Sequence, residues 1–282
     1  MLFLQQLRCE LRKLFARPRT WMGYGAFILM EAVILIVFKL EGTQRYMRRM
    51  METNGLEFGS YYSSLTITFS IMLFSMFMLG SIYFALVAGD IVAKENEDGN
   101  LRMVFARPIS RLRLLGVKYV ATAIYTFSFV FFVGITGYGM AVAAVGRAGG
   151  LFVMEPQMKV FAAYPDWWEG AARLSLGAAG IGISMITLSS IAFMFSCFRI
   201  KPAAATIVTL SILFVDFILQ RFPFFKPYEA YFVTWRMSAW VFLMEQHLSW
   251  PKIIESYAFL LGLNTTLFMI GWLSFQTRDF KT

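Results

Sequence analysis

The sequence predicts an all-α membrane protein of six spanning helices, and three observations carry that prediction. Of 282 residues, 58% are hydrophobic and only 15% charged, whereas a soluble domain carries about 25% charged residues. The mean hydropathy of +0.61 leaves more Phe, Met, Leu and Ile than a globule of this length can hide from water, and it excludes intrinsic disorder. The apolar residues also gather into stretches long enough to cross ~30 Å of hydrocarbon at ~1.5 Å per residue. Six such stretches run over 21–39, 65–89, 119–146, 171–197, 203–220 and 254–275, the fifth being short. They read as one transmembrane domain over 1–282, with no soluble domain attached.

Residues 1–20 precede the first span and are too charged, with no small-residue cleavage site behind them, to be a signal peptide. Phe3, Leu7, Leu11 and Leu14 follow each other at helical spacing while Arg8, Arg12 and Arg19 lie largely to the other side, which predicts an amphipathic helix in the headgroup plane. Arg17-Pro18 and Trp21 mark its turn into the bilayer. With the N-terminus inside, the cytoplasmic segments 1–20, 90–118, 198–202 and 276–282 carry 15 Lys/Arg in 61 residues, against 9 in 82 for the outer connections 40–64, 147–170 and 221–253. That bias places both termini in the cytoplasm.

The connection 90–118 has a readable anatomy. An acidic helix end stops at Gly99, a short helix from about Leu101 to Phe105 presents Leu101, Val104 and Phe105, Pro108 ends it, and Ser110 caps the next helix. Apolar knobs with basic flanks, held between two spans, suit a groove on another protein. Gly134, Gly137 and Gly139 in the third span, and Gly177, Gly180, Gly182 and Ser184 in the fourth, predict close helix contacts. The outer segment 221–253 is too aromatic for a solvated loop, and Pro223 and Pro227 break any continuous helix, so one or two short re-entrant or surface helices are expected.

Chemistry of its own is hard to find in this chain. Cys9 and Cys197 stand far apart with no CxxC spacing, and the single histidine, His247, has no metal-ligand neighbours, so neither haem nor zinc is indicated. Met47, Met50 and Met51, and Met72 and Met76, recur at helical spacing and read as membrane packing rather than a copper site. No Gly-Lys dipeptide occurs, which excludes the phosphate loop GxxxxGK[ST], and there is no GxSG or HExxH. The formal charge of +9 follows the membrane topology and calls for no nucleic acid.

One set of motifs resembles a known family, the permease subunits of type-2 ABC transporters with the ABCG-like exporter fold. Glu97-Asp98-Gly99-Asn100-Leu101, then Arg107-Pro108-Ile109-Ser110-Arg111 and Lys118, are similar to the family's E-x-G-T-L, x-P-[IV]-S-R and G-K elements. Asn100 departs from the usual threonine and Val117 separates Gly116 from Lys118. The leader Glu10 to Pro18, the turn Arg199-Ile-Lys201-Pro202 and the closing Phe275-x-x-Arg278-Asp279-Phe280 support the likeness, which runs in order along the whole chain. The resemblance implies a permease without an ATPase of its own, paired with a separate ATP-binding subunit that holds ATP and Mg, and with a second permease, as homodimer or heterodimer. It implies further that 1–20 is the connecting helix and 101–105 the coupling helix. The ATPase-coupling residues would then be Glu97, Gly99, Leu101, Val104, Phe105, Arg107, Pro108, Arg111, Arg199 and Lys201. The second and fifth spans would line the cavity.

Two carboxylates fall within the spans, Glu31 in the first and Asp216 in the fifth, at comparable depths of ~15 and ~20 Å from the cytoplasmic edge. A carboxyl group in hydrocarbon must face the bundle or a wet cavity, so both are candidate cavity residues, with structural hydrogen bonding as the alternative. The expected function is export of an amphipathic or lipid-like compound across the cytoplasmic (inner) membrane, the membrane lipid being a further partner. Two rivals stand beside it. One is a secondary transporter or channel using Glu31 and Asp216; the other is an intramembrane enzyme or redox subunit, for which no nucleophile-base pair is present.

Overall fold

The computed structural model describes residues 2–105, 109–146 and 149–278, with the backbone alone for Arg102, Val104 and Phe105. It is 83% helical with almost no sheet, and six of its helices are long and apolar enough to cross a membrane. The leader folds as α1 (Leu2–Ala16) and the first span as α2 (Pro18–Lys39). Arg17 between them is extended, the conformation a following proline imposes, and Pro18 occupies the first turn of α2 where its missing N–H costs nothing. Two short helices, α3 (Glu41–Thr53) and α4 (Phe58–Tyr61), bridge to the second span.

That span is one rod in three parts: α5 (Ser64–Ser75), a π-helical turn over Met76–Gly80, and α6 (Ser81–Glu97). Gly99, at φ +72°, closes it, and the short α7 (Asn100–Phe105) follows. The third span is α8 (Arg111–Val145), whose first turn is capped by Ser110 Oγ accepting from the Arg113 N–H at 3.3 Å. Helix therefore extends eight residues further into each side of the 90–118 segment than hydropathy alone marks. The fourth, fifth and sixth spans are α9 (Trp167–Ser196), α10 (Pro202–Arg221) and α12 (Trp250–Gln276). Within them, hydroxyls bond back to carbonyls one turn earlier, as Thr209 of α10 does to Ala205 at 2.8 Å, which removes donors that hydrocarbon cannot satisfy.

Helix α9 is the axle of the bundle: 78% of its apolar window is buried, against 17% for α10. It earns that place with small residues. A Cβ on Gly180 would collide with Leu243 and Trp240, and one on Gly182 with Phe127. The first two of those partners belong to the outer segment, so part of the small-residue face receives a folded-back segment and not a helix. In the third span Gly134 and Gly137 do meet α5, at Met72 and Ile71, but Gly139 has nothing within 4 Å and makes no close contact. Met72 and Met76 are buried in the core, in keeping with packing.

The outer segment folds as a 3₁₀ stretch (Pro223–Tyr231), α11 (Val233–Met237) and a second 3₁₀ stretch (Ser238–Met244), of which 239–244 is buried against α9. The connection 147–170, read from sequence only as an outer loop, contains an antiparallel hairpin, β1 (Leu151–Glu155) and β2 (Val160–Tyr164), paired from Leu151↔Tyr164 to Glu155↔Val160. The hairpin sits on the start of the second span. Ser63 and Thr66 hydroxyls reach the Gly150 carbonyl, the Phe152 N–H donates to Thr66 Oγ1 at 2.9 Å, and Tyr164 Oη donates to the Met244 carbonyl at 2.9 Å.

Candidate functional site

Both described termini lie at one end of the bundle, and the charges there are paired across three elements. Lys118 on α8 has no exposed surface, and its ammonium donates to Glu10 of α1 at 3.0 Å and lies 2.8 Å from Glu95 of α6. Lys13, one turn after Glu10, closes the ring at 2.7 Å from Glu10 and 3.6 Å from Glu95. Two cations and two carboxylates thus neutralise each other in a nearly dry site, which is what makes burying them tolerable. Burial by itself would raise the Glu10 carboxyl, but Lys118 and Lys13 outweigh it and hold it below its ordinary value. Burial likewise pulls Lys13 down, and Glu10 and Glu95 more than restore it.

Three of these charges, Glu10, Glu95 and Lys118, sit on stripes that are otherwise apolar, whereas Lys13 is half-exposed. Glu10 lies between Leu7 and Leu14, Glu95 continues Phe84, Ala88 and Ile91, and Lys118 stands between Leu115 and Ala121, all buried or packed on the core. That position was the signal that could have nominated Glu10 and Glu95 from sequence. A charge interrupting an apolar helical face needs a partner from another apolar face.

A second pair joins α2 to α6, where Arg19 meets Asp90. Beside it an aromatic block binds α1, α2, the second span and α8 together. Phe15 and Tyr24 pack against Tyr125 and Phe129, the Tyr83 and Tyr125 hydroxyls share a hydrogen bond, and Tyr83 reaches the Thr20 carbonyl at 3.3 Å. Gly23 makes room for the Tyr83 ring, which a Cβ there would overlap.

The proposed coupling residues divide sharply. Leu101 is 1% exposed and belongs to the core of this chain, which corrects its reading as a knob shown to the cytoplasm; among the described side chains of α7, Asn100 and Met103 are exposed, Met103 at 68%. A six-residue helix wedged beside α6 must spend one apolar side chain on its own anchorage. Arg107 and Pro108, and the side chains of Val104 and Phe105, lie outside the described residues. Glu97 is exposed next to Gly99. Arg111 donates to the carbonyls of Phe275, Gln276 and Arg278 at 3.2, 2.6 and 2.8 Å, clamping the unsatisfied end of α12. Sequence reasoning had given it to association with other molecules. Arg278 in turn donates to the Cys197 carbonyl at 3.1 Å, so the last residues described are tied to the turn that exposes Arg199 and Lys201. Cys197 itself is a free thiol buried in the core.

The two membrane carboxylates are far less alike than their depths suggest. Glu31 is completely buried between α2 and α8, with Oε1 accepting from Thr136 Oγ1 at 2.9 Å and Oε2 without a partner among the described residues. Asp216 accepts from the Val233 N–H at 3.2 Å, the Thr234 N–H at 2.8 Å and the Thr234 hydroxyl at 2.6 Å. It is the N-terminal cap of α11, supplied from another helix, and its geometry is that of the structural alternative.

Among the described residues no group of three or more His, Cys, Asp and Glu could hold a metal ion. The family model described as ABC-2 family transporter protein matches residues 6–216, three quarters of the chain. No curated protein matches it.

Proposed function

Since this chain belongs to the ABC-2 transporter family and is a multi-pass transport permease rather than a catalytic subunit, we propose that it is the membrane half of an exporter driven by a separate ATPase. ATP and Mg then reside on that partner. In this reading both termini are cytoplasmic and the membrane is the inner one, as the distribution of Lys and Arg favours. The transported compound is amphipathic or lipid-like.

The observation that carries the reading is the placement of α7. Eight residues of charged helix on α6 beyond Gly89 lift it about 12 Å from the apolar part of the span. There it exposes Met103 while Leu101 roots it in the core. A push on α7 would pass through Leu101 and the Glu95–Lys118–Glu10 ring to α1, α6 and α8 together. Exposed Glu97, Arg199 and Lys201 supply polar contacts around that point, with Gly99 as the hinge of its left-handed turn. We assign Arg111 the role of holding the C-terminal end of α12 in place behind this face. Val104, Phe105, Arg107 and Pro108 complete the coupling segment in the same proposal.

A second permease fits against the second and fifth spans. There Phe74, Phe77 and Met78 stand exposed beside Phe214, Val215 and Ile218 of α10, a face that none of the other described residues covers. The π-helical turn at Met76–Gly80 lies in the middle of it, a distortion that recurs at functional positions in helices.

Met103→Glu tests the assignment, because an exposed side chain can change without disturbing the fold. Co-purification of the ATP-binding subunit with the variant should fall by about tenfold or more, as loss of an interface anchor commonly costs ~2 kcal/mol. Normal recovery together with normal transport would remove α7 from the docking face.

A further inference from the structure

A cavity of about 360 Å³ opens on the side of the bundle between α9 and α12. Its walls include Ile183 and Ile186 of α9, Tyr257, Asn264 and Phe268 of α12, and Tyr119 of α8. Ile183 and Leu261 at its rim are 44% and 68% exposed, so it faces outward, where a spanning bundle meets lipid. Its size falls at the small end of small-molecule pockets.

Two polar atoms of its wall, the Tyr257 hydroxyl and the carboxamide oxygen of Asn264, have no hydrogen-bond partner among the described residues, and Asn264 is the deeper problem for folding. Asn264 stands midway along α12, about 21 Å from Trp250 and about 18 Å from Gln276 along the axis. It is 8% exposed, and Oδ1 of its carboxamide finds no hydrogen-bond partner among the described residues. At that depth neither water nor a lipid headgroup is at hand to satisfy an amide, and acyl chains bring no polar atom. The other polar groups of the wall do not supply it: the Tyr119 hydroxyl is bonded to Ser190 at 2.8 Å, the Thr265 hydroxyl donates to the Leu261 carbonyl at 2.8 Å, and the Tyr257 hydroxyl, like Asn264 Oδ1, has no partner among the described residues.

We propose that the cavity between α9 and α12 binds a lipophilic alcohol, an apolar molecule carrying a single hydroxyl group that enters from the bilayer and pairs with Asn264. A hydroxyl both donates and accepts, so it satisfies the carboxamide in either orientation of its O and N. The apolar body fills the space between Ile183, Ile186 and Phe268. The site lies apart from α7 and from the face offered to a second permease, so it stands whether or not the ATPase assignment does.

The experiment uses the full-length protein in phosphatidylcholine nanodiscs and two photoreactive probes, a diazirine-bearing long-chain secondary alcohol and its methyl ether. Mass spectrometry of the labelled peptides should show the alcohol preferred over the ether by about tenfold in peptides containing 183–186 and 257–268, the difference one hydrogen bond makes in an apolar site. Asn264→Leu, close in volume, should erase that preference without reducing ether labelling. Equal labelling of the wild-type cavity by both probes would mean that ordinary acyl chains or water occupy it, and would overturn the proposal without any variant. A preference that survived Asn264→Leu, or no labelling of these peptides above the rest of the lipid-facing surface, would overturn it too.

Discussion

Replacing Lys118 by Met removes the one cation of the terminal ring that has no contact with water. The side chains of Glu10 and Glu95 are only 11% and 10% exposed, so solvent cannot take its place. Removing one partner of a buried ion pair costs about 3–5 kcal/mol, because the other charge stays buried. Lys13 remains, but with 53% of its side chain exposed its attraction is screened and recovers less than ~1 kcal/mol. A net loss of about 3 kcal/mol in the attachment of α1 corresponds to about 100-fold more frequent opening. Hydrogen exchange of peptides within 2–16, measured on the full protein, should accelerate by that factor. The pH dependence should also change sign. In the wild type the Glu10 carboxyl lies below its ordinary 4.5, so its contribution is complete above that pH and is lost as the pH falls through the lower bound-state value. In the variant burial, the largest influence on Glu10, meets only Lys13, so the carboxyl rises and α1 docks better in acid, losing hold as the pH rises through the new value. The triple variant Glu10→Gln, Glu95→Gln and Lys118→Met carries no buried charge in the ring and should regain most of the protection. Unchanged exchange in Lys118→Met, or a triple variant as loose as the single one, would refute the reasoning.

Further outcomes follow from individual contacts. Gly23→Ala should cost about 1–3 kcal/mol, lowering the thermal midpoint of the purified protein by several degrees, because the new methyl displaces a Tyr83 ring held by Phe27 and Phe129. Asp216→Ala should expose α11 and the 3₁₀ stretch before it to protease, at a cost of ~1–2 kcal/mol for the lost cap, while leaving the pH dependence of transport unaltered; a shifted transport profile would return Asp216 to the pathway. In a Cys9→Ser background, Glu97→Cys should be protected from an impermeant thiol reagent in intact cells and Gln157→Cys, at the tip of the hairpin, should react. The opposite pattern would invert the topology.

The motif-bearing loop shows how far local reading carries. Gly99 ends α6 with positive φ, Ser110 caps α8, and α7 spans Asn100–Phe105, each within a residue of what turn and capping chemistry predicts. The same loop misleads over Leu101, because whether an apolar side chain of a short helix points at solvent or at the core depends on the neighbour that helix leans on. The hairpin was missed for a related reason. Leu151–Glu155 and Val160–Tyr164 have the right length and a Pro-containing turn between them, but short runs of four and five apolar residues in a chain this apolar do not stand out as strands.

By itself the sequence determined the membrane class, the number and approximate limits of the six spans, the break at Arg17-Pro18 and the absence of a phosphate-binding loop. All of these depend on residues adjacent in the chain, through the hydropathy of about 20 consecutive side chains or the dihedral preference of one. Only the tertiary structure decided that Lys118 meets Glu10 across 108 positions, that Arg111 holds the end of α12 from 164 or more positions away, and that Asp216 caps α11. Hydrophobic burial is non-directional and can be read from composition. A buried charge or a carbonyl at a helix end has to find one partner at hydrogen-bond distance, and which residue that is depends on how the helices cross.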